Sequence, residues 1–112
     1  MITRTEVIGD VIVVGVKGKL MGTGDTDECH KRVKQFIAEG HIKAIVDLTQ
    51  VEWVNSRGLG MLIACFTSCR NNGGDMKIVG ASAKTKSLLQ MTRLSTVFEM
   101  YDTVDQAIKS YR

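Results

Sequence analysis

The sequence has no proline, no low-complexity tract and no convincing internal repeat, so nothing in it marks a linker between separately folded units. Aromatic residues are few, with one Trp, two Tyr and three Phe. The basic residues are spread from Arg4 to Arg112, with no run longer than Lys31 and Arg32. Nucleic-acid binding takes a concentrated basic face and often stacking aromatics, so this composition argues against a nucleic-acid partner. Cysteine is confined to Cys29, Cys65 and Cys69, an odd number without Cys-x-x-Cys spacing. That usage suits reduced thiols in a cytoplasm, buried as small apolar groups, rather than a disulfide framework or a metal site. The longest nearly apolar run, GLGMLIACF from Gly58 to Phe66, is far too short to span a bilayer. The opening MITRTEVIGD is polar where a secretory signal needs an apolar stretch. The expectation is a cytoplasmic protein without membrane insertion.

What is present fits a folded chain. The 112 residues are 44% hydrophobic and 24% charged with a net charge of +3, which predicts one domain, residues 1–112, around one core. TEVIGD and VIVVGVKGKL read as two β-branched strands of a hairpin, with Gly9 and Asp10 as the turn. GTGDTDECHKRVKQFIAEG places Cys29, Val33, Phe36 and Ile37 on one helical face, with Asp25, Asp27 and Glu28 at its positive end and Gly40 as the stop. HIKAIVDL is almost continuously apolar, as a central strand covered on both faces would be. After the connecting TQVEWV, a helix puts Leu59, Leu62, Ile63, Phe66 and Cys69 on one side and ends at RNNGGD. A strand MKIVG, a helix SAKTKSLLQM capped by Ser82, a short strand VFEMY and a helix TVDQAIKSY complete the chain. In the last helix, Thr103 and Gln106 form a capping box and Val104, Ala107, Ile108 and Tyr111 share a face. The alternation predicts an α/β fold: a mixed sheet with an N-terminal β-hairpin, parallel β-α crossovers and helices packed on the sheet.

Motifs for catalysis or cofactors are weak. VGVKGKL lacks the first glycine and the hydroxyl of a phosphate-binding loop, and GTGDTD and GLGMLI each lack the third glycine of a dinucleotide fingerprint. The histidines, His30 and His41, flank the first helix, with His41 before the central strand at the end opposite Ser56, which also lacks a Gly-x-Ser-x-Gly elbow. Asp25 with Asp27 and Asp102 with Asp105 are explained by helix starts. Asp47 interrupts the apolar strand near its C-terminal end, where open α/β sheets place functional groups, and it can equally cap a neighbouring loop. No cofactor and no metal is expected. On the residues alone, Ser56 is an ordinary helix N-cap worth about 1 kcal/mol, a nucleophile, or a site modified by another protein. Gly58 and Gly60 either open the surface beside it or let helix and strand pack closely.

The stretch from Ile42 to Ile108, IKAIVDLTQVEWVNSRGLGMLIACFTSCRNNGGDMKIVGASAKTKSLLQMTRLSTVFEMYDTVDQAI, resembles a STAS domain of the anti-sigma factor antagonist type. The resemblance rests on Asp-Leu after an apolar strand, Ser-x-Gly-Leu-Gly at the next helix start, and the Gly-Gly turn into the following strand. It implies a regulator rather than an enzyme. In that family the unphosphorylated protein binds an ATP-dependent serine kinase that is also the anti-sigma factor or an equivalent switch protein. Phosphorylation of a serine matching Ser56 releases it, and a serine phosphatase resets the cycle. Asn55, Arg57, Gly58 and Leu59 then form the partner-binding rim, with Met21, Gly22, Thr23 and Asp25 alongside. The sequence departs from the family at Asn55, where aspartate is usual, at Met21, where an acidic residue is common, and at Arg57, which replaces a small residue. The alternative implied by Asn55 and Met21 is a STAS scaffold subunit of a stress-sensing assembly or a lipid-transport ATPase that is not phosphorylated.

Overall fold

The strand that follows the first turn explains the layering. In the strand Val11–Leu20 every residue from Val11 to Val16 is buried, so both faces of this strand are covered. Side chains alternate across a strand, and here the alternation divides two cores. Ile12, Val14 and Val16 join one apolar cluster, while Val11 and Val13 join another.

The computed structural model describes residues 2–21 and 24–111, and of residues 24–26 the backbone only. Strand β1 (Ile2–Ile8) turns at Gly9, whose φ of 63° is the left-handed conformation a tight hairpin takes, and pairs antiparallel with β2 (Val11–Leu20). Helix α1 (Gly24–Ala38) leads to β3 (Lys43–Val54), which runs parallel to β2. Helix α2 (Ser56–Asn71), β4 (Asp75–Val79), α3 (Ala83–Met91), a 3-10 turn at Leu94–Thr96, β5 (Met100–Tyr101) and α4 (Val104–Ser110) follow. The strands lie in the order β1-β2-β3-β4-β5, antiparallel only at the hairpin. This is the mixed α/β arrangement expected from the alternation of elements.

One sheet face packs against α1, α2 and α3 through Cys29, Val33, Leu62, Cys65, Cys69 and Leu89. The other is covered by α4, whose Ala107 and Ile108 meet Val11, Val13, Ile45 and Val79. The Thr103 and Gln106 capping box starts α4 as expected. Its last turn is fastened by the Tyr111 hydroxyl, which donates to the Ala44 carbonyl at 2.8 Å. Lys77, 5% exposed, donates to Ser110 Oγ at 2.6 Å, pairs with Glu99 at 2.9 Å and lies 4.3 Å from the Tyr111 ring centre. A buried ammonium is tolerated because it has a carboxylate, a hydroxyl and an aromatic face around it.

Three expectations need correction. TQVEWV is not a connection: β3 continues through it to Val54. Its apolar run fades because β4 pairs with β3 only as far as Asp47, leaving Thr49, Gln50, Glu52 and Trp53 exposed. Ile63 lies on the exposed side of α2, at 38% exposure, while Met61 and Cys65 are buried in the core. The last strand is confined to Met100–Tyr101, because Arg93 turns left-handed at φ 62° and a 3-10 turn consumes the residues before it. Phe98 enters the core instead, edge-on to Phe66 at 5.2 Å.

Candidate functional site

The end of β3 delivers the chain to α2 through a single residue, Asn55. Its backbone is extended (φ −98°, ψ −175°), and its side-chain oxygen accepts from the Gly58 N–H at 2.9 Å. That is the geometry of an N-cap, which satisfies one of the helix's unpaired donors. The Asn55 side-chain amide also donates to the Met21 carbonyl at 3.2 Å, and its backbone N–H donates to the Leu20 carbonyl at 3.1 Å. One side chain thus ties the end of β2 to the start of α2. An aspartate could make the cap but has no N–H to offer Met21.

The cap position is therefore taken by Asn55, and Ser56 is the first residue of the helix. Ser56 is exposed, and among the described residues its hydroxyl has no hydrogen-bond partner. The N–H groups of Ser56 and Arg57 are also unpartnered among those residues, because the cap bond goes to Gly58 and the first helical bond runs from Leu59 to Asn55 at 2.9 Å. No acidic residue occupies the first turn, so the partial positive charge of the helix end is not offset locally.

The two glycines of this turn separate into different roles. A Cβ on Gly58 would lie 2.0 Å from the Leu20 carbonyl oxygen, so its missing side chain is what lets α2 seat on β2. Gly60 has nothing within 4 Å of that position and leaves an open surface. Of the rim residues expected from the sequence, Arg57 is exposed, Met21 is 36% exposed and Asn55 is half-buried, whereas Gly58 and Leu59 face the interior. Gly22 and Thr23 lie outside the described residues, as does the side chain of Asp25.

At Trp53 and Val54, just before the α2 start, the structure adds a feature that the sequence did not reveal. A groove of about 470 Å³ separates the end of β3 from α3, lined by Trp53, Val54, Lys84, Ser87, Leu88 and Met91. Trp53 is 56% exposed and Met91 is 82% exposed. The signal in the sequence was the single tryptophan standing in the polar run TQVEWV.

The remaining candidates are structural. Asp47, buried on β3, accepts from the Thr49 N–H at 2.9 Å, from the Thr49 hydroxyl, and from Arg4 Nη2 at 2.9 Å. Burial pushes its carboxyl up, but the bonds from Thr49 and Arg4 outweigh it and hold the group below the usual carboxylate range. The Arg4 side chain reaches Asp47 across Gly15, whose absent Cβ would lie 2.7 Å from Arg4 Nη1. Cys29, Cys65 and Cys69 are buried thiols. Contact with Cys29, and then burial, pushes the Cys65 thiol far up, and burial pushes Cys69 to about 11, so both stay protonated and weakly nucleophilic. His41 stacks edge-on against Phe36 at 5.9 Å, at the opposite end of β3 from Ser56. His30 lies within α1, and among the described residues neither histidine hydrogen-bonds to Ser56.

Residues 3–107 match the STAS domain family. A Thermotoga maritima protein described as a candidate anti-sigma factor antagonist is 28% identical over 78 residues, covering 70% of this chain and 69% of the relative. The crystal structure of an anti-sigma factor antagonist from Mycobacterium paratuberculosis superposes with a TM-score of 0.81 at 26% identity, covering 98% of this chain and 93% of that one. The Bacillus cell fate determinant SpoIIAA, in its phosphorylated form, shares the fold with a TM-score of 0.78 at 17% identity, covering 97% of this chain and 98% of its own.

Proposed function

Since the chain belongs to the STAS domain family, we propose that it acts as a partner-switching regulator of the anti-sigma factor antagonist kind, with Ser56 as the phosphorylated residue. It is a substrate and a binding module rather than an enzyme. Its partners are an ATP-dependent serine kinase that doubles as the anti-sigma factor, and a serine phosphatase that restores the free hydroxyl. The observation that carries this reading is the division of labour at the helix start: Asn55 does the capping, so the Ser56 hydroxyl is exposed and not needed by the fold.

The local electrostatics support a two-state surface. A phosphate on Ser56 adds a charge of about −1.5 to −2 at neutral pH. Within this chain it meets the open N–H groups of Ser56 and Arg57, the positive end of α2 and the Arg57 guanidinium, all of which favour an anion. A partner packed over the same spot would have to strip that charge of water, and binding falls. Phosphorylation therefore changes association while leaving the fold intact.

The test is incubation of the full chain with radiolabelled ATP and lysate of the native cell. Wild type takes up label that a serine phosphatase removes, Ser56→Ala takes up none, and a kinase retained by wild type and Ser56→Ala is lost with Ser56→Asp. Equal labelling of Ser56→Ala, or no labelling of either chain, refutes the proposal and leaves a STAS scaffold subunit as the reading.

A further inference from the structure

The groove between the end of β3 and α3 has an apolar floor and a surround richer in cations than in carboxylates. Helix α2 contains no aspartate or glutamate, and neither does the whole stretch from Gly80 to Phe98, which includes α3. Basic residues do occur there: Arg57 heads α2, Lys84 lines the groove, and Lys86 and Arg93 follow. Lys19 pairs in register with Trp53 on the neighbouring strand. Among the described residues Lys84, Arg57, Lys19 and Arg93 have no ion pair, and Lys86 reaches Asp102 only at 3.8 Å. The nearby carboxylate on β3 is Glu52.

Trp53, Leu88 and Met91 make up the apolar part. Exposed tryptophan is the side chain most enriched among residues that dominate binding energy, and methionine adapts its shape to what it meets. Charges at the rim of such a site contribute to approach rate and to choice of partner more than to affinity. Unpaired cations around an apolar slot therefore select against basic segments and favour acidic ones.

We infer that the groove between Trp53 and α3 seats an acidic segment of the partner protein, one apolar side chain of which inserts between Trp53, Leu88 and Met91 while its carboxylates meet Lys84 and Lys19. This deepens the partner-switching reading and rests on it, since the groove is lined by Val54, two residues before Ser56. It also gives a reason for the switch: a phosphate on Ser56 adds negative charge two residues from Val54 in the groove lining and disfavours an acidic segment there.

A library of random 16-residue peptides displayed on phage is panned against the full unphosphorylated chain, and enriched peptides are synthesised. Trp53 is the only tryptophan, so its emission reports occupancy of the groove without a label. The expected peptides carry two or more Asp or Glu beside an aromatic or aliphatic residue, shift Trp53 emission, and bind several-fold more weakly as salt rises from 50 to 500 mM. Lys84→Glu and Met91→Glu, both at exposed positions, weaken binding about tenfold or more by charge reversal or by loss of the apolar contact. Lys109→Glu on α4 leaves it unchanged. Absence of enrichment, enrichment of neutral or basic peptides, or indifference to Lys84→Glu overturns the inference. So does a Trp53 shift produced by phosphatidylglycerol vesicles and not by peptides. The two proposals fail separately: label on Ser56 with no groove-binding peptide removes only this inference, whereas acidic peptides on a chain whose Ser56 is never labelled remove only the phosphorylation switch.

Discussion

Two alanine substitutions, two residues apart in the same helix turn, test how the start of α2 is held. In Gly58→Ala the new Cβ would stand 2.0 Å from the Leu20 carbonyl oxygen and 2.8 Å from the Leu20 Cβ, far inside the 3.4 Å of ordinary contact. The obstacle is backbone already engaged by the Asn55 N–H, so it cannot rotate away as a flexible side chain would. Forcing one methyl group into a packed site costs about 1–3 kcal/mol, and a backbone obstacle belongs at the upper end. Alanine's better helix propensity offsets up to about 1 kcal/mol. The expected net loss is about 1–2 kcal/mol. In Gly60→Ala nothing lies within 4 Å of the added carbon, so only the propensity term remains. That variant gains about 0.5–1 kcal/mol. Urea unfolding followed by far-UV circular dichroism measures both, and the slope should not change while the two midpoints move in opposite directions. Gly58→Ala displaces the helix start, and Ser56 with it, so it should also slow phosphorylation by the partner kinase. If Gly58→Ala is as stable as Gly60→Ala, α2 does not seat on Leu20 and the account of the site fails.

Two further substitutions examine the residues that hold the site in place. Asn55→Ala removes the cap and lowers stability by about 1 kcal/mol, or about 4 °C in Tm. Asn55→Asp keeps the cap and stays within about 0.5 kcal/mol of wild type; a loss as large as that of alanine would show that the bond to Met21 matters more than the cap. Asp47 is held below the usual carboxylate range in the folded state, so its contribution is present above the unfolded value of about 3.9 and is lost as pH falls through the lower folded value. Asp47→Asn should be less stable than wild type at pH 7, with the gap closing as pH drops below about 4. A gap that stays constant down to acid conditions would mean that the Arg4 and Thr49 bonds do not depend on the ionised carboxylate.

The parts of the fold that were legible in the sequence are those where one physical rule acts alone. Thr103 and Gln106 announced a capping box, Ser82 a cap, and Ala44 to Leu48 a doubly covered strand, and each is found in that role. Where two rules compete the pattern misled. The second half of β3 has a neighbour on one side only, so its residues lose the apolar run that identifies a central strand although the backbone remains extended. Asn and Ser are both good caps, and the position goes to Asn55, which is also tied to Met21, a contact 34 residues away in the chain. The groove was hidden for the same reason: Trp53 and Met91 are separated in sequence, and only the crossing of α3 over the end of β3 brings them to one slot.

The strand order carries a consequence for how the chain reaches this state. Each strand lies beside the one made immediately before it, so the sheet can be laid down from the β1-β2 hairpin by additions at a single growing edge. No strand has to be inserted between two that are already paired, and no loop has to close over the whole chain before a contact rewards it. Growth ends with β5, a strand of two residues that offers little edge for another copy to extend. The order of synthesis and the order in space coincide, so folding can proceed as a series of local steps, with the clamp between Arg4 and Asp47 closing across the first three strands once β3 is in place.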